Sequence, residues 1–319
     1  MCVSAGGPLL ERLSPELRRR THILGKSSRW DATVLPRLAR KLRQLRPDIV
    51  HTHLFTALSW GGVASRLARV PHWVHTKHAA HEEELALVRR IERLLSKRVS
   101  HMVACSPSSA DMLKHKGYTS RVSVIENGIP LTGRPVSALE GKPPVIGTVG
   151  RHTAIKGQRF LIEAVELLRN RGVDVRLVMV GDGELRDELE GLVDAADLRD
   201  RVSFTGRVAD VPDRLAGFDL FVLPSLSEAL PLALLEACAA RLPVLVTSKG
   251  GAGIVVDQGA GGWTVMPGDP SLLADRLEVF TKLSNDERQQ LGAKSLALVT
   301  ERYALEACAA KYEALYRQL

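Results

Sequence analysis

The residues with the clearest chemical potential are two glutamates, Glu228 and Glu236, with seven residues between them. The sequence predicts that Glu228 lies in a polar turn before a helix and that Glu236 lies two turns further on, inside that helix. Free backbone N–H groups at a helix start favour a phosphate, and a carboxylate such as Glu236 can accept hydrogen bonds from sugar hydroxyls. The alternative is structural: Ser225 and Glu228 form a capping box, and Glu236 is an ordinary solvated side chain. The spacing alone leaves both interpretations open.

A second group of residues fits a diphosphate. Residues 145–149 form an apolar run typical of a buried strand, Gly150 permits a tight turn, and a helix is predicted at 158–168. Arg151 and Lys156 lie in the intervening turn, and Gly157 adjoins the helix. Backbone N–H groups and two cations beside a helix start make a strong diphosphate site.

The glutamates belong to a strand, turn, helix and strand at 219–247. Apolar runs at 220–223 and 242–246 flank a helix that is predicted to begin with Pro231 and to end near Arg241. Such a βαβ unit implies a parallel sheet, with ligands at the carboxyl ends of its strands.

The rest of the chain follows the same alternation of strands and helices. Two predicted strands of the first half end in polar groups, one at His51 and His53 and the other just before His78. Strands are also predicted at 1–4, 49–53, 73–76, 102–105, 122–125, 175–180 and 202–205, and helices at 9–20, 32–46, 60–69, 85–98, 107–116 (capped by Ser106), 184–195 and 301–319. Residues 131–144 hold Gly and Pro with few periodic apolar positions, which indicates a linker.

Together these segments resemble the retaining glycosyltransferases of family 4, or glycosyl transferases group 1, which have the GT-B fold. The resemblance rests on Glu-x₇-Glu within PSLSEALPLALLEACAARLPVLVT, on Gly-Arg-x₄-Lys-Gly at 150–157, on PDIVHTH at 47–53 and on Asn-Gly at 127–128. It implies an α/β protein with two Rossmann-like domains that face each other across a cleft. The expected domains are an acceptor domain at 1–135, a nucleotide-sugar donor domain at 143–300, and a helix at 301–319 that crosses back to the first domain. Family members begin with a further strand, Gly-rich loop and helix, so the first domain is expected to be shortened at its N-terminus.

The resemblance also assigns roles to individual residues. It implies a catalytic set of His78, Arg151, Lys156 and Glu228, in which Glu228 meets the donor sugar and Glu236 the nucleotide ribose. The implied donor-binding residues are Gly150, Arg151, Lys156, Gly181, Gly183, Val208, Glu228, Ala229, Leu230 and Glu236. His53 is a candidate for lining the site. Alternatives stay open, because Gly181 and Gly183 could be simple turn glycines, His53 a structural histidine, and His78 part of a polar surface loop.

Three positions depart from the family pattern. Ala229 follows the first glutamate where a glycine is usual, Arg241 follows the helix where a glycine is usual, and Ile254 stands where a glutamate is usual.

The function implied is transfer of a hexose from a nucleotide-diphospho-sugar, with a UDP-sugar favoured, to an acceptor hydroxyl with retention, in envelope polysaccharide or glycolipid synthesis. The sequence contains no Asp-x-Asp cluster suited to a catalytic cation, so neither a metal nor another cofactor is expected. Two rivals remain, a GT-B sugar-nucleotide epimerase and a non-catalytic nucleotide-sugar-binding protein. The epimerase would convert a donor without change of mass, and the binding protein would bind UDP without transferring any sugar.

The composition and the cysteine usage of the chain predict its cellular compartment. In 319 residues, an apolar content of 45% and a charged content of 25% describe a soluble globular protein. The four cysteines are scattered and form no Cys-x-x-Cys pair, which favours a reducing compartment. No signal peptide is visible, and the longest uncharged run, 49–65, is too polar for a membrane span. A cytoplasmic protein is therefore expected.

The charge of the chain is divided unevenly. Residues 1–142 hold 24 Lys and Arg against 11 Asp and Glu, whereas residues 143–319 hold 20 against 25. This asymmetry indicates an anionic partner for the first half. An aromatic content of 4% leaves little with which to stack bases, so nucleic acid is not expected. A lipid-linked or saccharide acceptor and an anionic membrane surface fit better, the alternative being Arg-rich helices that are merely solvated.

Overall fold

Two compact units make up the chain in a computed structural model that describes residues 2–3, 8–11, 13–26, 31–78, 86–118, 121–131 and 143–319. The first unit comprises Met1–Ile125 and Ala314–Leu319, and the second comprises Glu126–Glu313. Both contain parallel sheets with helices between the strands, which confirms the prediction of two Rossmann-like α/β folds. Most of the predicted linker lies outside the described residues.

The first unit is built on a four-stranded parallel sheet. Its strands are paired in chain order, with Ile49 opposite His72 and His53 opposite Thr76. These strands are β3 (Ile49–His53), β4 (His72–Lys77), β5 (His101–Ala104) and β6 (Val122–Val124), and a separate parallel pair is formed by β1 (Cys2–Val3) and β2 (His22–Ile23). Strand β4 is buried over nearly its whole length, as expected for a parallel strand that is covered on both faces.

Helices connect these strands: α1 (Pro8–Glu11), α2 (Pro15–Arg19), α3 (Val34–Leu45), α4 (Leu54–Leu67), α5 (Ala86–Ser96) and α6 (Pro107–His115). Helix α3 buries one face of helical period, formed by Val34, Leu38 and Leu42, and exposes its basic face. Helix α6 begins as predicted, because the Ser106 hydroxyl accepts the Ser109 N–H at 3.2 Å.

Helix α4 lies very close to β4. A Cβ added at Gly62 would lie 2.0 Å from the Trp73 ring, so only glycine fits there. The Trp73 Nε1–H donates to the Thr52 hydroxyl at 2.9 Å, and that hydroxyl lies 3.0 Å from His75 Nδ1. A chain of buried polar contacts therefore joins β3 to β4 beneath the helix.

The second unit has a six-stranded parallel sheet: β7 (Val145–Val149), β8 (Arg176–Val180), β9 (Val202–Gly206), β10 (Leu220–Leu223), β11 (Val244–Thr247) and β12 (Gly262–Val265). The order across the sheet is β12-β11-β10-β7-β8-β9. This is the doubly wound order, in which the order of strands along the sheet reverses between β7 and β10, and ligands bind at that switch point. The predicted βαβ unit is confirmed, with β10 and β11 parallel and every residue of both strands buried.

Helices cover both faces of this sheet: α7 (Gln158–Asn170), α8 (Arg186–Ala195), α9 (Val211–Leu215), α10 (Leu232–Ala239), α11 (Gly251–Asp257), α12 (Pro270–Thr281) and α13 (Asn285–Arg302), followed by α14 (Leu305–Arg317). A short 3₁₀ turn, Ala154–Lys156, lies between β7 and α7.

Four helix predictions were wrong in their bounds. The helix expected at 60–69 is α4, which begins at Leu54. The helix expected at 9–20 is two short helices, because Ser14 caps a new one that has Pro15 at its first position. Pro231 precedes helix α10 as its N-cap instead of opening it. The helix expected at 301–319 begins only at Leu305, because Tyr303 is buried and its carbonyl accepts the Ile129 N–H at 2.9 Å, which interrupts the helical ladder. No helix among the described residues is long and apolar enough to cross a membrane.

Candidate functional site

The loops that follow β7 and β10 meet at the switch point of the second sheet. Gly157 has a φ of +62°, and a Cβ at this position would lie 2.2 Å from the Pro224 carbonyl oxygen. The Leu226 N–H donates to the Ile155 carbonyl at 2.8 Å. Glycine is thus required where the two loops touch, and the residues expected around a donor come from both.

Lys156 and Glu228 are in direct contact across these loops. The Lys156 ammonium group donates to Glu228 Oε1, and the Ser225 hydroxyl donates to the same oxygen at 2.9 Å. Both charged side chains are mostly buried, with 22% and 14% of their surface exposed. The capping-box alternative is wrong, since α10 begins four residues after Glu228 and Ser225 bonds the carboxylate instead of a helix N–H.

Arg151 lies on the rim of this contact. Its side chain is exposed, and its guanidinium group makes no hydrogen bond or ion pair with any residue that the structure describes. Its backbone is fixed, because the buried Gln158 donates to the Arg151 carbonyl at 2.8 Å. The Gly150 N–H donates to the Val180 carbonyl at 2.9 Å. A cation on a fixed backbone is therefore available to an anionic ligand.

Gly181 and Gly183 allow the loops after β7 and β8 to pack closely against each other. A Cβ at Gly181, where φ is +134°, would lie 1.9 Å from the Gly150 carbonyl oxygen, and one at Gly183 would lie 2.3 Å from the His152 carbonyl oxygen. These contacts alone require glycine, so the structural alternative accounts for both residues. Val208, the third predicted base-side residue, follows β9 half-buried against the core. Contact of any of the three with a base stays a prediction.

Glu236 is the half-buried carboxylate of helix α10. Burial raises its pKa above the ordinary value for glutamate, since removal from water penalises the charged form. No described residue donates a hydrogen bond to it or forms an ion pair with it. A half-buried carboxylate without a donor from the protein can accept a hydrogen bond from a ligand hydroxyl.

The loop after β11 packs against the segment from Glu228 to Leu230 and fixes its backbone. The Gly251 N–H donates to the Glu228 carbonyl at 2.7 Å, and a Cβ at Gly251 would lie 1.7 Å from the Ala229 carbonyl oxygen. The Thr247 hydroxyl donates to the Ser225 carbonyl at 2.5 Å. Sequence reasoning missed these supporting residues and Gln158, although the Gly-Gly pair after a strand was a visible signal.

In the first unit, His78 follows β4 and contacts another histidine. His53 Nδ1 lies 2.9 Å from His78 Nε2, and the His51 ring lies beside His53 with centroids 4.2 Å apart. Burial, followed by the neighbouring histidines, lowers the pKa of His51 to about 3 and of His53 to about 4, and burial lowers the pKa of His78. All three rings are therefore uncharged at neutral pH. His81 lies outside the described residues, and the described part of the chain holds no cluster of three or more His, Cys, Asp or Glu placed to bind a metal ion.

Comparisons with known proteins agree with this geometry. The family model described as glycosyl transferases group 1 matches residues 132–296, and that described as glycosyltransferase family 4 matches residues 1–132. Alpha-D-kanosaminyltransferase of Streptomyces kanamyceticus is 33% identical over 55% of this chain and 46% of its own length. UDP-Gal:alpha-D-GlcNAc-diphosphoundecaprenol alpha-1,3-galactosyltransferase of Escherichia coli is 30% identical over 69% of this chain and 63% of its own. The chain thus spans about half the length of the first relative and somewhat under two thirds of the second.

Among solved structures, the Anabaena protein Alr3699/HepE in complex with UDP-glucose superposes with a TM-score of 0.87 at 22% identity. The match covers 100% of this chain and 91% of that one. At this identity the likeness establishes the shared fold.

Proposed function

Because this chain belongs to the glycosyl transferases group 1 family, we propose that it is a glycosyltransferase that moves a hexose from a nucleotide-diphospho-sugar to an acceptor hydroxyl with retention. The observation that carries the proposal is the contact between Lys156 and Glu228 at the switch point. In this contact, one loop supplies a cation suited to a diphosphate, and the other supplies a carboxylate suited to a sugar. The solved complex of Alr3699/HepE with UDP-glucose supports a UDP-sugar as the donor.

In the proposed reaction Arg151 and Lys156 stabilise the negative charge that develops on the leaving diphosphate. Lys156 is already oriented in its working position, because it donates to Glu228 across the two loops and the Ser225 hydroxyl in turn holds the Glu228 carboxylate. The Glu236 carboxylate accepts hydrogen bonds from the ribose hydroxyls. Gly181, Gly183 and Val208 lie on the side of the base. No metal or other cofactor is invoked, since the two cations supply the charge stabilisation.

The acceptor is proposed to be lipid-linked or a saccharide, within envelope polysaccharide or glycolipid synthesis, and His78 is proposed to face the reacting sugar. The E. coli relative is named for a diphosphoundecaprenol-linked substrate, which supports a lipid-linked acceptor. We further propose a cytoplasmic protein with peripheral binding to the inner membrane face. The basic faces of α3 and α5 are the candidate contact.

The decisive experiment is a thermal-shift panel of UDP-, GDP- and ADP-sugars, because a ligand that binds the native state raises its stability. A stabilising donor is then incubated with candidate acceptors, and the anomeric configuration of the product is read by NMR. Retention of configuration supports the proposal, and inversion contradicts its stereochemistry. A donor isomerised without change of mass indicates an epimerase. Binding of UDP without transfer to any acceptor indicates a non-catalytic binding protein.

A further inference from the structure

His53 and His78 meet end to end. Their nearest ring nitrogens, His53 Nδ1 and His78 Nε2, are 2.9 Å apart, the ring centroids are 5.2 Å apart, and the planes are inclined by only 26°. The centroid separation equals the nitrogen separation plus the two ring radii. The rings are therefore nearly coplanar, and the contact is an in-plane N–H···N hydrogen bond instead of face-to-face stacking.

An N–H···N hydrogen bond between two neutral imidazoles contains one shared proton. If His78 Nε2 carries the proton, His53 Nδ1 is bare, and the other nitrogen of His53, Nε2, must then be protonated. Neutral histidine in water favours protonation at Nε2, so this arrangement gives both rings their preferred tautomer. It leaves His78 Nδ1 with an open lone pair.

His53 is itself held in place by its neighbours. The flanking His51 is fixed at both nitrogens, with Nδ1 2.6 Å from the Tyr316 hydroxyl and Nε2 2.7 Å from the Thr76 hydroxyl. The residue after His53, Leu54, has a φ of +67° and is 60% exposed. A left-handed leucine is strained, and such strain is typical of functional sites.

We propose that His53 is a positioning residue for His78: it accepts the His78 Nε2–H and thereby presents His78 Nδ1 as a hydrogen-bond acceptor to a hydroxyl group of the substrate. The inference rests on the proposed function, because a sugar hydroxyl is the group that would be bound. The left-handed turn at Leu54 directs the chain from the end of β3 into helix α4.

The surrounding charges are compatible with two neutral rings. The adjacent Lys77 ammonium group is paired with Glu92 at 2.6 Å, and the Tyr118 hydroxyl donates to the same carboxylate oxygen. Burial raises the pKa of the Tyr316 hydroxyl and of the Cys105 thiol, so both stay protonated. The Cys105 thiol donates to the His78 carbonyl at 3.3 Å, which fixes the backbone that carries the ring.

The test is ¹⁵N NMR of the histidine side chains in the full chain at pH 7.5, with the His53→Ala, His53→Asn and His53→Asp variants. The parent protein is expected to show His78 protonated at Nε2 alone. His53→Ala should release a mixture of tautomers, whereas His53→Asn should retain the Nε2–H form, because the amide oxygen can accept where Nδ1 did. His53→Asp should raise the pKa of His78 by roughly one to two units, since a carboxylate favours the imidazolium.

His101→Ala is the matched control, because this histidine lies on β5 of the same sheet and contacts Ser123 instead. It should leave the His78 spectrum unchanged. A fraction of the Nε2–H form of His78 that is as high in His53→Ala as in the parent protein, or a His78 protonated at Nδ1 in the parent protein, overturns the inference.

Binding of UDP-glucose, measured by calorimetry, separates this inference from the proposed function. If neither UDP nor any nucleotide-sugar binds the parent protein, the proposed function fails, whereas the tautomer spectra still decide the role of His53. With UDP-glucose as the donor probe, the pH profile of UDP release should move in His53→Asp together with the pKa of His78. A profile that does not move with that pKa overturns the inference.

Discussion

Both units present polar side chains at the carboxyl ends of parallel strands, but they use different chemistry. In the first unit the side chains are histidines whose pKa values are lowered by burial and then by the neighbouring rings, so that they stay uncharged. In the second unit they are ions, with Lys156 against Glu228, a guanidinium group on the rim and a half-buried carboxylate on α10. Uncharged imidazoles suit hydroxyl groups, whereas fixed cations suit a diphosphate. The same strand-end geometry thus serves two ligand chemistries.

The largest expected effect is on turnover. Replacing Arg151 or Lys156 with alanine should each raise the barrier to transfer by roughly 2.7–4 kcal/mol, because each removes a donor aimed at developing negative charge. The measurement is kcat with a saturating donor, beside the free energy of unfolding. Arg159→Ala is the control, since this exposed arginine on α7 pairs with Glu163 along the helix. If either site variant keeps the parental turnover, the diphosphate site lies elsewhere.

The next effect is on nucleotide binding. Glu236→Ala should weaken the binding of a nucleoside diphosphate by about 1.5–3 kcal/mol, the value of hydrogen bonds to a charged group. Because burial raises the pKa of Glu236, affinity should also fall as the pH drops through that raised pKa and the carboxylate becomes protonated. Calorimetry from pH 8 to pH 5 measures both effects, with Glu163→Ala as the control. If the affinity for the nucleoside diphosphate is unchanged in Glu236→Ala, the ribose site lies elsewhere.

A third effect is the loss of stability of the first unit in acid. Burial lowers the pKa of His75 to about 3, so below pH 6.5 the unfolded chain binds a proton that the folded unit does not. Stability should therefore decline as the pH falls from 6.5 towards 3, by about 2 kcal/mol at pH 5 for this one residue.

Hydrogen exchange of peptides from β4 and β10 at pH 8 and pH 5 compares the units directly. The β4 peptide should lose protection in acid, and His75→Asn should flatten this dependence, because its amide can still meet the Thr52 hydroxyl. If both peptides lose protection equally in acid, the two units do not differ in the way that their neutral and charged side chains predict.

The smallest effect for each residue replaced concerns the basic first unit. Replacing Arg89, Arg90 and Arg93 with serine should weaken salt-reversible binding to anionic vesicles, at about 1 kcal/mol for each residue near the surface. Vesicle co-sedimentation at low and high salt measures it. A second-unit variant with Arg214, Arg276 and Lys294 replaced by serine removes the same charge and should bind like the parent. Equal binding to neutral and anionic vesicles, or none to either, would favour a soluble acceptor.

Local patterns predicted the strands better than the helix ends. The limits of β7 and β10 agree with the apolar runs, because burial on both faces leaves a continuous apolar signal. The last helix was misplaced because Tyr303 belongs to the core and its carbonyl bonds Ile129, a partner distant in sequence. Such a tertiary contact overrides local helix propensity.

The site was predicted in its residue types but not in its contacts. The contact between Lys156 and Glu228 joins residues 72 positions apart, and only the folded sheet order brings them together. The proximity of His53 and His78 follows from parallel strands in register, with His53 opposite Thr76. Their end-on orientation does not follow, because it depends on the side-chain rotamers of both histidines, which the strand register does not fix.

The packing of Trp73 against Gly62 gives the first unit an optical reporter. An indole ring that is only 4% exposed, with its N–H donated to Thr52, should emit at short wavelength. Because the Thr52 hydroxyl also meets His75 Nδ1, protonation of that imidazole should alter the polarity around the fluorophore. Acid titration of tryptophan emission, with Trp73→Phe to subtract the other indoles, would therefore report the charge state of a buried histidine without any label.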